Sequence, residues 1–340
     1  MHWKNRRSAV SKIVIASATV AALIGASACS SPDEDTDTSA TVSAEPGALP
    51  VTIEQNFGSV TIEKEPTRVA AVGVGDADTL LALGIVPTTM SPFSDPEAKR
   101  VTEPWNEDLI GDATPVALAE ASSNLGAEIP NILATNPDLI VAVNSSVTKE
   151  QYDTLSKVAP TILREAQYPD WQVPWQASAT QVGKAVGMPE ETQKLIDETE
   201  QVFTDAQTEY PTIVGKKGAV ITNGTDGGVA IYADTDGRGQ TLADLGMTFP
   251  AELEPTITSG FYGSISTENL NLLNSLDKVV VVDWQGSNDK LKQNAAFMNL
   301  DIVKRGGVVW VDQVLGGAMS VPSVLTIPYV VEQLAPQLAQ

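Results

Sequence analysis

The chain has 340 residues but only one cysteine and one histidine. Cys29 has no partner for a disulfide, and His2 lies in an N-terminal stretch that reads as a removable leader. Without imidazole or a second thiol, Ser-His-Asp and Cys-His catalysis lack their base, and a zinc site built on such ligands cannot form. Positive charge is scarce as well: 21 Lys and Arg stand against 43 Asp and Glu, a formal charge of −22. A field of that sign repels polyanions and argues against nucleic acid as a partner. Paired carboxylates leave acid/base hydrolysis chemically open, but no motif supports it. The acidic loop ADTDGRG (233–239) lacks the remaining spacing of a calcium loop, so no metal site and no cofactor is expected. Aromatic residues are few, at 5%.

What is present begins with a leader in three parts. MHWKNRRSAVSK carries four bases and no acid, IVIASATVAALIGA is apolar but too short to span a bilayer comfortably, and ASAC ends it. Small residues ahead of a cysteine are what lipoprotein processing accepts, so Cys29 is expected to become the first residue and to be acylated. Ordinary cleavage after the same small residues, leaving a free thiol, is the plain alternative. Acylation would hold the protein at the extracytoplasmic face of a cell membrane, in a Gram-positive type of envelope. Two or more chains are needed for a firm anchor, at ~0.8 kcal/mol per buried CH₂. Removal of residues 1–28 leaves 17 bases against 43 acids, a charge of −26. Residues 29–50 are acidic, serine-rich and proline-bearing, and read as a disordered tether.

The remaining 290 residues suit two lobes better than one core. VTIEQNFGSVTIEK (51–64) alternates around Asn56–Ser59 like a β-hairpin. RVAAVGVGDADTLLALGIVPTTM (68–90) reads as strand, loop, helix, strand, with Asp76 placed to cap the helix and Gly84 to stop it. NPDLIVAV, GAVIT, KVVVVD and GVVWV read as buried strands. Between them, MPEETQKLIDETEQVFTDAQTEYP (188–211) repeats Leu195, Ile196, Thr199, Val202, Phe203, Ala206 and Tyr210 at helical spacing. The pattern predicts an α/β protein: an N-terminal lobe over 51–187, a bridging helix over 188–211 and a C-terminal lobe over 212–340. Strands alternating with helices favour parallel sheets in both lobes.

The order and spacing of PTRVAAVGVGDADTLLALGIVP, EPWNEDLIG, NPDLIVA, YDTLSKVAPTI, GRGQTLADLGMTFP, FYGSISTENL and MNLDIVKRGGVVWVD resemble the substrate-binding proteins of ABC importers for ferric siderophores, hemes and cobalamin. EPWNEDLIG, GRGQTLADLG and FYGSIS lean toward the siderophore branch. The resemblance implies two Rossmann-like lobes joined by a single long helix, the helical-backbone type of periplasmic binding protein, with a shallow cleft between them. It implies a monomer without catalysis that hands a ferric siderophore to ABC permease subunits, iron entering only as part of the cargo. Heme or cobalamin binding, or an envelope adaptor or sensor on the same fold, are the alternatives.

A siderophore site needs flat aromatic surface and a few firm donors. YPDWQVPW (168–175) packs Tyr168, Trp171 and Trp175 ahead of the bridging helix, in a loop by its prolines. Trp175 reads equally as core. Trp105 matches the family's cleft loop in the N-lobe, and Tyr262 and Trp284 are candidates in the C-lobe. Arg238, in a glycine-rich turn entering a helix, resembles the family's arginine loop and could fork onto ligand oxygens; the alternative is a surface salt bridge to Asp234 or Asp236. Arg100 is a further candidate. The low base count points to a neutral or weakly charged trihydroxamate. The resemblance also implies one surface glutamate per lobe for docking to the permease. Glu268 fills that place in the C-lobe; in the N-lobe the expected position is Pro130, and Glu128 is the nearest substitute.

Overall fold

The V-T-I-E alternation closes as a hairpin. Strand β1 (Val51–Gln55) pairs antiparallel with β2 (Gly58–Ile62), Val51 opposite Ile62, and buries Ile53 and Ile62 on one face. The computed structural model describes residues 43–93 and 100–340; the leader, Cys29 and the tether up to residue 42 lie outside the described residues.

The N-lobe is a five-stranded sheet of β3 (Val69–Ala71), β4 (Thr89–Met90), β5 (Val116–Ala117), β6 (Leu139–Ala142) and β7 (Thr161–Leu163), in the order β5-β4-β3-β6-β7 and parallel throughout. All residues of β3, β6 and β7 are buried, as a sheet covered on both faces requires. The C-lobe sheet runs β10-β9-β8-β11-β12, from β8 (Gly218–Asn223), β9 (Val229–Tyr232), β10 (Tyr262–Ile265), β11 (Lys278–Val282) and β12 (Val308–Val311). It departs from the expectation of a parallel sheet. β8, β11 and β12 are parallel, but β9 and β10 run antiparallel to their neighbours. The connection from β8 to β9 is the short turn 224–228, closed by Gly224 N–H to Gly228 O at 3.0 Å, and a parallel crossover needs far more chain.

The bridging helix spans Pro189–Glu209, with proline in its first turn and Glu190 and Glu191 near its positive end. Ile196, Thr199, Phe203 and Ala206 are buried, and Leu195 packs against the cores of both lobes. It lies against the helices Trp175–Ala185 and Thr326–Leu338. Gly183 is required there, because a Cβ would sit 2.0 Å from Thr192 Oγ1.

Two local expectations need correction. The tether does not run disordered to residue 50. Met188 at the N-cap position has no side-chain acceptor, so the first N–H groups of the bridging helix need one from elsewhere. The Glu45 carboxylate supplies it, accepting from Glu190 N–H at 3.0 Å and Glu191 N–H at 2.8 Å, while Glu45 N–H donates to Gly187 O and Leu49 packs into the N-lobe core. Asp76, in turn, does not cap its helix. It is the first residue of Asp76–Ala82, after Gly75 in the left-handed region at φ 86°, and its carboxylate accepts from Val143 N–H at 2.7 Å and Asn144 N–H at 3.1 Å. The side chain ties the helix start to the end of β6.

Candidate functional site

In an open α/β sheet, the crevice forms where successive connections leave in opposite directions, at the carboxyl ends of the strands. In the N-lobe that point lies between β3 and β6, and in the C-lobe between β8 and β11. Both coincide with cavities. Val74, Gly75 and Asn144, just past β3 and β6, face Gly237, Val321 and Pro322 of the C-lobe across a narrow slot of about 40 Å³ that Trp171 and Trp175 also line. Thr222 and Asn223 at the end of β8, with Trp284 and Ser287 after β11, open onto a wider cavity of about 390 Å³ that Tyr232, Arg238 and Lys290 complete. The slot admits little more than water; the wider cavity reaches the size of a small-molecule site.

The Arg238 side chain is held by two neighbours. Its guanidinium lies over the Tyr232 ring at 4.2 Å, and Nη1 donates to both oxygens of Asp236 at 3.0 and 3.1 Å. Asp236 caps the helix Gly237–Asp244 through Arg238 N–H at 3.0 Å. Burial pushes the Asp236 carboxyl above its ordinary range and Arg238 pulls it back. Arg238 Nε is buried and makes no hydrogen bond. Behind the slot, the lobes meet through polar contact. The Ser323 hydroxyl donates to the fully buried Asp78 carboxylate at 2.5 Å, and Trp105 packs edge-on against Phe93 and tilted against Tyr329, at 5.2 and 5.4 Å between ring centres. Among the described residues, no group of three His, Cys, Asp or Glu could hold a metal ion, and no helix is long and apolar enough to cross a membrane.

A two-lobed body with facing switch points and a long bridging helix matches known proteins. The profile of one family, described as periplasmic binding protein, matches residues 69–315. The chain belongs to the periplasmic binding protein family. That is a family of substrate-binding proteins rather than enzymes. YhfQ of Bacillus subtilis (strain 168), named as an ABC transporter substrate-binding lipoprotein, is 25% identical over 273 residues, covering 77% of this chain and 81% of that protein. A periplasmic solute binding protein from Mycobacterium smegmatis str. MC2 155 superposes with a TM-score of 0.73 at 28% identity, over 85% of this chain and 97% of the other. PiaA of Streptococcus pneumoniae TIGR4, solved in complex with ferrichrome, superposes with a TM-score of 0.70 at 28% identity and the same coverage.

Within this family member, the residues singled out from sequence are scattered. Trp171, in the left-handed region at φ 64°, and the buried Trp175 line the slot. Arg238 and the half-exposed Trp284 line the wide cavity. Tyr262 lines neither, but it sits opposite Tyr232 in the β9–β10 ladder, at the cavity's edge. Trp105 belongs to the interlobe stack. Tyr168 stands outside both cavities, its carbonyl accepting from Arg164 Nε at 2.8 Å, and Arg100 pairs with Glu103 at 3.1 Å. The salt bridge read as an alternative for Arg238 does form, to Asp236, but it is buried. The sequence reading does not reach Tyr232 or Lys290, and it offers Asp236 only as a surface partner of Arg238. β9 was not recognised as a strand, so nothing pointed to Tyr232 beneath the arginine.

The docking pair also needs correction. Glu268 is exposed in the first turn of the 3₁₀ segment Thr267–Ser275. Glu128 is 5% exposed, and its carboxylate accepts from Glu120 N–H at 2.9 Å and Asn131 Nδ2 at 2.7 Å. The reason lies in the helix Ala121–Ala134, whose N-cap residue Glu120 makes no side-chain cap; Glu128 turns back from within the helix to accept from the Glu120 N–H. A carboxylate used in this way is not available to a partner's arginine.

Proposed function

We propose that this protein captures a ferric siderophore in the interlobe crevice and delivers it to an ABC permease, held at the membrane by acylated Cys29. The open cavity at the carboxyl ends of β8 and β11 carries the reading. There Trp284 and Tyr232 offer aromatic surface and Arg238 a guanidinium on the cavity wall. The ferrichrome-bound neighbour of matching architecture supports it. Titration of the purified chain with ferric siderophores should quench tryptophan fluorescence, with sub-micromolar affinity for at least one. Binding of heme or cobalamin, with no response to hydroxamate, catecholate or citrate complexes, would overturn the ligand class.

Glu268 is assigned to permease docking on the C-lobe. Glu268→Ala should leave siderophore affinity and stability essentially unchanged, since exposed charge changes stay within ~0.5 kcal/mol, while uptake by cells falls. Glu128→Ala should behave oppositely. It removes two hydrogen bonds made by a buried carboxylate, at about 0.5–1.5 kcal/mol each, and any loss of uptake should follow loss of folded protein. Normal uptake with Glu268→Ala would refute the docking role.

A further inference from the structure

Among the residues lining the two cavities, only Arg238 and Lys290 carry charge. Lys290 is exposed on the helix Ser287–Lys292, where solvent and salt screen it. Arg238 is the cation positioned to meet a ligand, and it arrives already paired. Asp236 is nine-tenths buried, and both its oxygens contact the same Nη1. A buried carboxylate of this kind cannot fall back on water, so the pair persists when the crevice fills.

We propose that Asp236 determines which ferric complexes this cleft accepts, by cancelling the charge of Arg238 and so favouring uncharged trihydroxamates over anionic catecholates and carboxylates. The inference rests on the siderophore reading of the same cavity. Three singly charged hydroxamates balance Fe(III) and leave a neutral complex, whereas three doubly charged catecholates leave a trianion. An anion approaching Arg238 meets the Asp236 carboxylate immediately behind it, and the attraction is largely cancelled. Hydrogen-bonding capacity is not cancelled. Only Nη1 is committed to Asp236, and a neutral hydroxamate oxygen can accept from the guanidinium edge that lines the cavity without bringing net charge. The Tyr232 ring beneath the guanidinium fixes the plane of those N–H groups. Asp236 thus acts through Arg238, as a residue that sets specificity without touching the ligand.

The test is a charge swap that preserves the cap. In Asp236→Asn, the side-chain oxygen still accepts the helix N–H, but Arg238 loses its counter-charge. Purified full-length wild type and variant would be titrated with ferrichrome, ferric citrate and ferric enterobactin, with thermal unfolding run alongside. Wild type should prefer ferrichrome. The variant should gain about tenfold or more for the anionic complexes, a gain that high salt erases, while ferrichrome affinity holds within about threefold. Should the Asn variant unfold, Asp236→Ser caps a helix equally well and gives the same comparison. A wild type that prefers the anionic complexes, or a folded variant that binds ferrichrome with unchanged selectivity, overturns the inference alone. A wild type that takes none of the three overturns the siderophore reading and the inference with it.

Discussion

Above about pH 7 the Asp78→Asn variant should unfold at a higher temperature than the wild type, and the difference should shrink toward about pH 4. Asp78 is fully buried where the lobes meet. The Ser323 hydroxyl donates to one carboxylate oxygen, and the Trp105 indole N–H is directed at the same group without reaching normal hydrogen-bond geometry. Asp76 and Glu103 add negative charge nearby, and Glu103 is itself paired to Arg100. Loss of hydration outweighs the hydrogen bonds and pushes the Asp78 carboxyl from 3.8 up to about 7. Its place in the first turn of a helix works the other way, at about 0.3–1 kcal/mol, too little to reverse the sign.

The folded protein therefore keeps a proton that the unfolded chain gives up from about pH 4 upward. Stability falls as pH rises through that window and levels off above about 7, with a limiting slope of about 1.4 kcal/mol per pH unit for one proton. Asp76, raised by burial to about 6, adds a contribution of the same sign over the lower part of the window and is untouched by the variant. The difference between the two proteins isolates Asp78. At about 2–4 °C per kcal/mol for a body of this size, thermal unfolding across pH resolves it. A difference that stays constant with pH would mean that the amide acts through packing, and the titration argument would fail. Ser323 leads into the C-terminal helix and Asp78 sits in the N-lobe, so the same proton bears on the interlobe seam.

The parts of this fold that could be read from sequence are those whose cause is local. Period-two alternation located β1 and β2, continuous apolar runs located β6, β11 and β12, and a buried stripe bounded by Pro189 and Pro211 located the bridging helix to within two residues. What went unread depends on contacts far apart in the chain. β9 and β10 are four-residue strands with half their positions buried, recognisable only once β8 lies beside them. Asp76 has the residue type and position of a cap, but two backbone N–H groups nearly 70 residues away claim its carboxylate. Glu128 reads as a surface acid because nothing beside it in the sequence announces that Glu120 N–H and Asn131 claim its carboxylate. The site divides in the same way. Arg238 is legible from its glycine-rich turn, and Asp236 only as a surface partner. That the pair is buried and stacked on Tyr232 follows from the packing of the helix Gly237–Asp244 against Ala233 and Asp234 in the loop that leaves β9.

That packing is close, and Gly239→Ala should break it. Two effects of the substitution oppose each other. Within a helix, alanine is favoured over glycine by about 1 kcal/mol. A Cβ at Gly239, however, would lie 2.0 Å from the carbonyl oxygen of Ala233 and 2.7 Å from Cα of Asp234. These are backbone atoms, so no rotamer change relieves the overlap. The helix start or the loop leaving β9 must move, and overpacking of this kind costs about 1–3 kcal/mol or more. The clash wins. The displaced segment carries Asp236 and Arg238 and adjoins Tyr232, so the damage reaches the wide cavity as well as the fold. Thermal unfolding should show a midpoint several degrees lower, and fluorescence titration with the preferred ferric complex should show affinity reduced about tenfold or more. Gly126→Ala is the matched control. It also lies in a helix, but its nearest heavy atoms would be 3.7 and 3.9 Å from the new methyl, ordinary contacts, so only the helical preference remains and stability should hold or rise slightly. If Gly239→Ala behaved like Gly126→Ala in both measurements, the close approach of loop and helix would not be what positions Arg238.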